Sequence, residues 1–132
     1  MSECTQMDVG SISRVNIVLE ISNKGFAEGK IVRYFSPLTA AGVLKSLPVQ
    51  RRAHKFENRF VYIETELALG REKQKSQFKR GEIAYMTFHG AICIFLNDTF
   101  STAMNPLGFV VSNLDLLETI VPGDLLSIRQ GS

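Results

Sequence analysis

Catalysis by side chains usually needs a nucleophile or a pair of acid–base groups close together, and this sequence offers few candidates. Cys93 lies between Ile92 and Ile94, and a thiol in apolar surroundings is a poor nucleophile because burial disfavours the thiolate. Glu64 and Glu66 are two positions apart, so on a strand they would share one face, as a pair of catalytic carboxylates could. Solvated strand faces often carry the same pattern. We therefore predict an inert core thiol at Cys93, and for the glutamates we favour a solvated face over acid–base catalysis.

The sequence also lacks the usual signatures of metal and phosphate binding. The histidines, His54 and His89, are far apart in the chain, and Cys4 and Cys93 do not have the spacing of a ligand pair. Neither GxGxxG nor GxxxxGK(S/T) occurs. His89 directly precedes Gly90, which is typical of a turn, where histidine tolerates left-handed backbone angles. We expect no metal site and no cofactor.

A basic segment over residues 70–79 connects two apolar segments. Solvated loops have this composition, and we favour that interpretation. The alternative is a contact surface for phosphates or acidic partners. The segment has a single aromatic residue, Phe78, so it offers little base stacking for nucleic acids. The cations of this alternative are Arg71, Lys73, Lys75, Lys79 and Arg80.

The size and composition of the chain favour one folded domain. The chain has 132 residues, of which 45% are hydrophobic, and its nine phenylalanines can supply a core. A net charge of +2 indicates no particular class of partner. We predict a mobile lead-in over residues 1–12 and a single domain over residues 13–132.

The sequence shows no sign of membrane insertion or secretion. No apolar run approaches the ~20 residues that a bilayer requires, and the polar first residues lack the apolar segment of a secretory signal. Cys4 and Cys93 have such different neighbours that we do not expect a disulfide between them. These features predict a cytoplasmic protein without a membrane partner.

The segment that organises the chain is residues 81–98, which has the pattern of a β-hairpin. Two apolar runs, residues 83–88 and 91–96, are joined by His89-Gly90. Two residues between β-type runs are a strong hairpin signal. A hairpin is not stable alone in water, so the rest of the chain must supply further strands beside it.

Two short helices are predicted at distant places in the sequence. Ser36 can cap the first helix, Pro37 fits its first turn, and Pro48 ends it. The second helix is predicted over residues 114–120. Residues on one face of the first helix recur at helical spacing: Ala40, Val43, Leu44 and Leu47.

The remaining segments alternate between β-type runs and turns. The segment 100–106 is polar and is predicted to be a loop. Together with the hairpin, the predicted strands number about eight, which favours a closed antiparallel barrel or a sandwich. The other predicted strands are residues 15–21, 29–35, 54–67, 108–111 and 125–129.

Several segments, taken in order, resemble cyclophilins over roughly residues 14–129. In residues 29–40 a strand runs into a Pro-x-Thr-Ala helix start, and residues 81–86 are similar to the GxLSMA strand. Residues 91–99 and 108–120 are similar to the strands and helix that follow. Short motifs at 59–63 and 81–85 resemble the compact prokaryotic cyclophilin-like family, whose function is unknown. The resemblance implies a mainly β, closed antiparallel barrel of about eight strands with two short helices.

The resemblance also implies where activity would lie. Cyclophilins isomerise prolyl bonds, whose rotational barrier is ~20 kcal/mol, with an arginine in an FHR-type motif near a Gln-Gly-Gly segment. Residues 54–64 contain neither motif, and the chain has no Trp. The residues available for the catalytic role are Lys55 and Arg59, of which Lys lacks the planar fork of Arg.

Three functional hypotheses follow from these patterns. The first is a module that binds a peptide, protein or small ligand in a groove on the barrel. The second is a divergent peptidyl-prolyl isomerase that uses Arg59 or Lys55. The third is a binder of nucleic acid or acidic partners through the basic segment, and homo-oligomerisation stays open. The predicted groove contacts are Arg59, Tyr62, Glu64, Met86, Phe88 and Ile94.

Overall fold

Strands make up most of the computed structural model, which describes residues 13–131. Each strand is named in chain order. The strands are β1 Arg14–Ile21, β2 Gly25–Val32, β3 Val49–Arg52, β4 His54–Phe56, β5 Phe60–Glu64, β6 Lys75–Phe78, β7 Glu82–Met86, β8 Ala91–Phe95, β9 Thr99–Ser112 and β10 Leu125–Gln130.

Two α-helices interrupt the strands, as the sequence predicts. Helix α1 is Pro37–Ser46, and a single 3-10 turn, Arg33–Phe35, leads into it. Helix α2 is Leu114–Glu118, two residues shorter than predicted. Residues 13–131 contain these two α-helices, and neither is long and apolar enough to cross a membrane. The predicted lead-in, residues 1–12, lies outside these residues.

One antiparallel sheet contains every strand, in the order β3-β10-β1-β2-β9-β7-β8-β5-β4, and β6 pairs with β9 beside this path. The prediction of a mainly β, antiparallel fold with two helices is confirmed. Closure of the barrel by hydrogen bonds is not confirmed, because no ladder joins the edge strands β3 and β4 within residues 13–131. Ala53 links these two strands covalently, and its N–H donates to the carbonyl oxygen of Asp124 at 2.7 Å.

One face of the sheet packs against an interior of branched aliphatic side chains, which we call the aliphatic core. Alternation along β1 places Ile17, Leu19 and Ile21 in it. Strands β5, β7 and β8 contribute in the same way, and α1 adds two residues. Further members of the aliphatic core are Ile31, Ala40, Val43, Val61, Ile63, Ile83, Tyr85, Ile92, Ile94, Leu107, Leu126 and Ile128.

A second apolar cluster lies on the opposite face of the sheet, and we call it the aromatic cluster. Strand β8 serves both, because Ile92 and Ile94 belong to the aliphatic core while its alternate residues belong to the second cluster. Strand β6 covers this side, where the rings of Phe78 and Phe95 stack with centroids 4.6 Å apart. The buried members are Phe60, Phe78, Ala84, Ala91, Cys93, Phe95 and Met104, and Tyr62 and Met86 pack against them.

Two segments predicted as loops pair with each other as strands, so both predictions are wrong. Residues 75–78 form β6, and residues 99–104 form the first half of β9, with Gln77 opposite Phe100. Their mixed polar sequences carry no local strand signal. The two strands form because they pair with each other over a long distance in the sequence. The second half of β9 pairs with β2 and β7. Pro106 is accommodated where the register shifts between Ile83 and Ala84.

The central hairpin exists, but its connection is longer than predicted. Met86 pairs with Ala91, so four residues, 87–90, form the turn instead of two. Gly90 adopts a φ of +62°, and its carbonyl oxygen accepts a hydrogen bond from Thr65 N at 2.9 Å. The longer turn removes Phe88 from the strand and leaves it 86% exposed.

The long strand predicted over residues 54–67 is broken into a second hairpin. Strands β4 and β5 pair through His54 with Tyr62 and Phe56 with Phe60. The turn between them is closed by Arg59 N, which donates to Phe56 O at 3.0 Å. This turn brings two aromatic pairs onto the face of the aromatic cluster.

Candidate functional site

A groove of about 850 Å³ lies over the aromatic cluster and opens to solvent. The β4–β5 hairpin, the β7–β8 turn, the segment before β6 and the first half of β9 form its walls. Its lining residues are Phe56, Arg59, Phe60, Tyr62, Arg71, Gln74, Met86, Thr87, Phe88, His89, Phe100, Ser101, Thr102, Ala103 and Met104.

The floor of the groove is built from aromatic rings in mutual contact. The centroid of Phe60 is 5.3 Å from that of Phe56, 5.9 Å from that of Tyr62 and 5.2 Å from that of Phe95. Such distances are typical of favourable aromatic pairs. Because Phe95 in turn stacks on Phe78, the floor rests on a packed layer and is pre-formed.

The rim of the groove exposes three large aromatic side chains to water. Phe88 is 86% exposed, Phe100 is 70% exposed and Phe56 is 46% exposed. Single exposed apolar residues are ordinary, but several around one concavity are typical of a binding surface. The rim residues come from three separate elements of the fold.

The basic side chains that line the groove are Arg59, Arg71 and His89, and the lining contains no Asp or Glu. The guanidinium of Arg59 lies 5.7 Å from the centroid of Phe56, and its Nε is 3.3 Å from Glu57 Oε1 outside the lining. The other arginine, Arg71, has no hydrogen-bond or ion-pair partner among residues 13–131. The groove therefore joins an apolar floor to an excess of positive charge.

The segment that carries Arg71 is fixed by a set of polar residues that we call the polar clamp: Thr39, Glu72 and Asn105. The carboxylate of Glu72 accepts hydrogen bonds from Leu38 N at 3.1 Å, from Thr39 N at 2.8 Å and from Thr39 Oγ1 at 2.9 Å. Glu72 thus satisfies the free amides at the start of α1. The predicted cap, Ser36, makes no side-chain capping bond and instead donates to Glu72 O at 3.4 Å.

These contacts favour the ionised form of the Glu72 carboxyl over the protonated form. Partial burial raises the pKa of its carboxyl, but hydrogen bonds from Thr39 and Leu38 and the charge of Lys73 outweigh that effect. The net result is a pKa below the ordinary value of 4.5. At neutral pH the clamp therefore holds a full negative charge against the first turn of α1.

Buried Asn105 completes the clamp from strand β9. Its Nδ2 donates to Thr39 Oγ1 and to Gly70 O, both at 2.9 Å. Its Oδ1 accepts from Glu72 N at 3.0 Å. One fully buried amide thus holds the backbone on both sides of Arg71.

The structure brings four of the predicted site residues together in the groove: Arg59, Tyr62, Met86 and Phe88. Sequence reasoning missed the other lining aromatics and the methionine of β9. Phe56 and Phe60 flank a turn inside a segment predicted as one strand, and Phe100 and Met104 lie in a predicted loop. The sequence pattern predicts a basic surface for Arg71, whereas the structure has it in the lining of the groove.

Three predicted site residues lie elsewhere. Lys55 is paired with the core residue Val61, and its Nζ donates to Glu118 O at 2.9 Å and to Ile120 O at 3.2 Å. Ile94 is fully buried in the aliphatic core.

Glu64, the third of these residues, is exposed on β5 and lies outside the groove. Its Oε1 is 3.9 Å from His54 Nε2, and the His54 ring stacks on Tyr62 with centroids 5.1 Å apart. Strand β5 ends at Glu64, so Glu66 lies beyond the strand, and the shared strand face predicted for these two carboxylates does not form.

Two of the five cations assigned to the basic surface, Lys75 and Arg80, are paired with carboxylates. Lys75 Nζ lies 3.0 Å from Glu82 Oε2. Arg80 forms ion pairs with Asp115, at 2.8 Å, and with Glu118. Lys73 Nζ donates to the carbonyl oxygen of Tyr34 at 3.3 Å. A phosphate partner would have to compete with these contacts.

The thiol of Cys93 is unsuited to chemistry, as predicted. It is fully buried in the aromatic cluster, and burial raises its pKa far above the ordinary range. Within residues 13–131, no three His, Cys, Asp or Glu side chains cluster as metal ligands would.

Comparison with known proteins identifies relatives of the fold. A hypothetical protein from Archaeoglobus fulgidus is similar with a TM-score of 0.77 and 19% sequence identity, over 90% of this chain and 96% of that one. McbB, solved in complex with tryptophan, is similar with a TM-score of 0.71 and 15% identity, over 86% of this chain. The chain spans 44% of the length of McbB. At these identities the likeness concerns the fold alone.

The family of the chain follows from its sequence. No curated protein matches it. The model of the family described as cyclophilin-like matches residues 13–129, which is most of the chain. The chain belongs to the cyclophilin-like family.

Proposed function

We propose that this domain binds a peptide or small ligand in the groove over the aromatic cluster. The observation that carries the proposal is the combination of a pre-formed aromatic floor with three exposed phenylalanines at the rim. A volume of about 850 Å³ lies within the range of small-molecule sites, about 300–1,000 Å³. The proposed contacts are Arg59, Tyr62, Met86, Phe88 and Phe100.

An aromatic side chain is the most suitable first probe. Flat rings pack favourably on the offset and tilted rings of the floor, and methionines such as Met86 and Met104 accommodate rings of different shape. The relative McbB was solved with tryptophan, which makes an indole group a reasonable choice. The protein itself contains no Trp, so indole fluorescence would report on the ligand alone.

The test is a fluorescence titration of an acetyl-Ala-Ala-Trp peptide with the protein. The double variant Phe88→Ala/Phe100→Ala should weaken binding by roughly tenfold or more, because aromatic anchors dominate interface energetics. The matched control is Phe26→Ala, since Phe26 is also exposed, at 53%, but does not line the groove. Equal affinity for the double variant and the control would contradict the proposal.

Prolyl isomerisation is a second candidate function, favoured by the position of Arg59 beside Phe60 in the groove. A guanidinium at an apolar floor could donate hydrogen bonds to a peptide as its prolyl bond rotates, and the barrier is ~20 kcal/mol. Lys55 does not support this role, because it is bonded to backbone carbonyls outside the groove.

The isomerase hypothesis is tested with a proline-isomerisation assay on the wild-type protein and Arg59→Ala. An acceleration that Arg59→Ala abolishes would establish catalysis. No acceleration by the wild-type protein would leave binding as the function and exclude this candidate.

Binding of nucleic acid or acidic partners through the basic segment receives less support. Lys75 and Arg80 are already paired with carboxylates. Such a partner would bind with steep salt dependence, because counterions are released. Measuring binding of an oligonucleotide at two salt concentrations tests this alternative directly.

A further inference from the structure

We infer that the groove binds the free C-terminal end of a peptide, with the terminal carboxylate on Arg71 and an aromatic last side chain on the floor. This inference rests on the proposed function and names the class of ligand. It follows from the charge, the fixation and the size of the groove.

The charge of the groove is not balanced within the described residues. Arg59 has Glu57 beside it, at 3.3 Å, whereas Arg71 has no such partner among residues 13–131. The nearest carboxylate in sequence, Glu72, has its oxygens occupied by Leu38 N and Thr39. Arg71 is exposed to solvent, so its guanidinium is accessible to an anionic group on the ligand.

The backbone that presents Arg71 is fixed before a ligand arrives. Asn105 Nδ2 donates to Gly70 O at 2.9 Å, and Asn105 Oδ1 accepts from Glu72 N at 3.0 Å. The residues before and after Arg71 are therefore attached to one buried side chain. Such fixation lowers the entropy lost on binding. A guanidinium presents parallel donors that match the two oxygens of a carboxylate.

The size and the composition of the groove favour a peptide end over a single amino acid. Its volume of about 850 Å³ is near the upper part of the range for drug-sized ligands. A C-terminal residue carries its carboxylate and its side chain on one carbon, so it can offer both groups to a groove whose lining includes Arg71 and aromatic rings. The residues before it would occupy the remaining space along β9.

The test compares acetyl-Ala-Ala-Trp as the free acid with the same peptide as the C-terminal amide, by indole fluorescence. The acid should bind about tenfold more tightly, the effect of one hydrogen-bonded ion pair. Arg71→Gln should lower the affinity of the acid to that of the amide and leave the amide unchanged. Arg52→Gln is the matched control, since it removes the same charge from an exposed position on β3, outside the groove.

Each outcome separates this inference from the proposed function. If the acid and the amide bind equally and both depend on Phe88 and Phe100, the groove binds ligands but the carboxylate inference is wrong. If neither peptide binds, both are wrong for this class of ligand. If acetyl-tryptophan alone binds as tightly as the peptide acid, the occupant is a small aromatic acid and the peptide part is overturned.

Discussion

The aliphatic core and the aromatic cluster lie on opposite faces of the same sheet, and strand β8 contributes alternate residues to each. The aliphatic core consists mainly of Ile, Leu, Val and Ala and is sealed by both helices. The aromatic cluster is smaller and is only partly covered, by β6 and the first half of β9. Where that cover ends, the groove begins.

The difference indicates a division of roles between the two faces. Branched aliphatic side chains interlock at high density and leave no room for a ligand. Aromatic and methionine side chains at an open edge offer flat, adaptable surface instead. We expect substitutions in the aliphatic core to change stability and substitutions in the groove to change binding.

Ile94→Ala should give the largest loss of stability, and it tests the sealed side of the comparison. Ile94 is fully buried between β5 and β7, with Val61 and Ile83 as its partners across the strands. Truncation leaves a cavity and should cost about 2–5 kcal/mol in the free energy of unfolding, measured by urea denaturation. Ile94→Val, at about 0.5–1.5 kcal/mol, provides a milder variant that keeps the fold. A loss below that of Phe88→Ala would contradict the division.

Glu72→Gln should have an intermediate effect, because the polar clamp joins the groove wall to α1. Loss of a charged cap should cost about 1 kcal/mol at neutral pH. The pKa of Glu72 is lowered in the folded state, so its contribution is fully present above its ordinary value of 4.5. It is lost as pH falls through the lower, folded-state pKa.

The stability gap between wild type and Glu72→Gln should therefore shrink as the pH falls below about 4.5. Denaturation curves at several pH values measure this gap. Glu66→Gln, at an exposed carboxylate, is the control and should show no comparable gap. A gap that grows towards low pH would contradict the role assigned to Glu72.

Phe88→Ala should have the smallest effect on stability, within about 0.5 kcal/mol, because its side chain is 86% exposed. The same substitution should weaken binding of the tryptophan peptide several-fold. Urea denaturation and the fluorescence titration on one sample measure both quantities. A stability loss comparable with that of Ile94→Ala would mean that Phe88 belongs to the packed structure.

Much of the fold was predictable, because local patterns dictate it. Alternation in β1 and in the central hairpin, and Ser36-Pro37 at the start of α1, indicated these elements correctly. The resemblance to cyclophilins added the expectation that Tyr62, Met86 and Phe88 line one groove, and the structure has all three in one lining. Tyr62 and Met86 belong to strands whose apolar pattern is strong in the sequence itself, whereas Phe88 lies in the turn after β7.

The remaining parts depend on contacts between distant segments. Strand β6 and the first half of β9 pair across more than twenty residues, and neither segment has an apolar alternation. The cap of α1 comes from Glu72, 33 residues from Thr39. For the same reason Arg71, Phe100 and Met104 could not be assigned to the groove from the sequence.

Methionine-methyl NMR gives the most direct test of the ligand-binding groove. Met86 and Met104 are the methionines of residues 13–131, and both line the groove, while Ile92 and Ile94 report on the aliphatic core from the same sheet. Addition of the tryptophan peptide should shift the methyl signals of Met86 and Met104 in a saturable way and leave the two isoleucine methyls nearly unchanged. Unchanged methionine signals at saturating peptide, or shifts confined to other parts of the chain, would contradict the account.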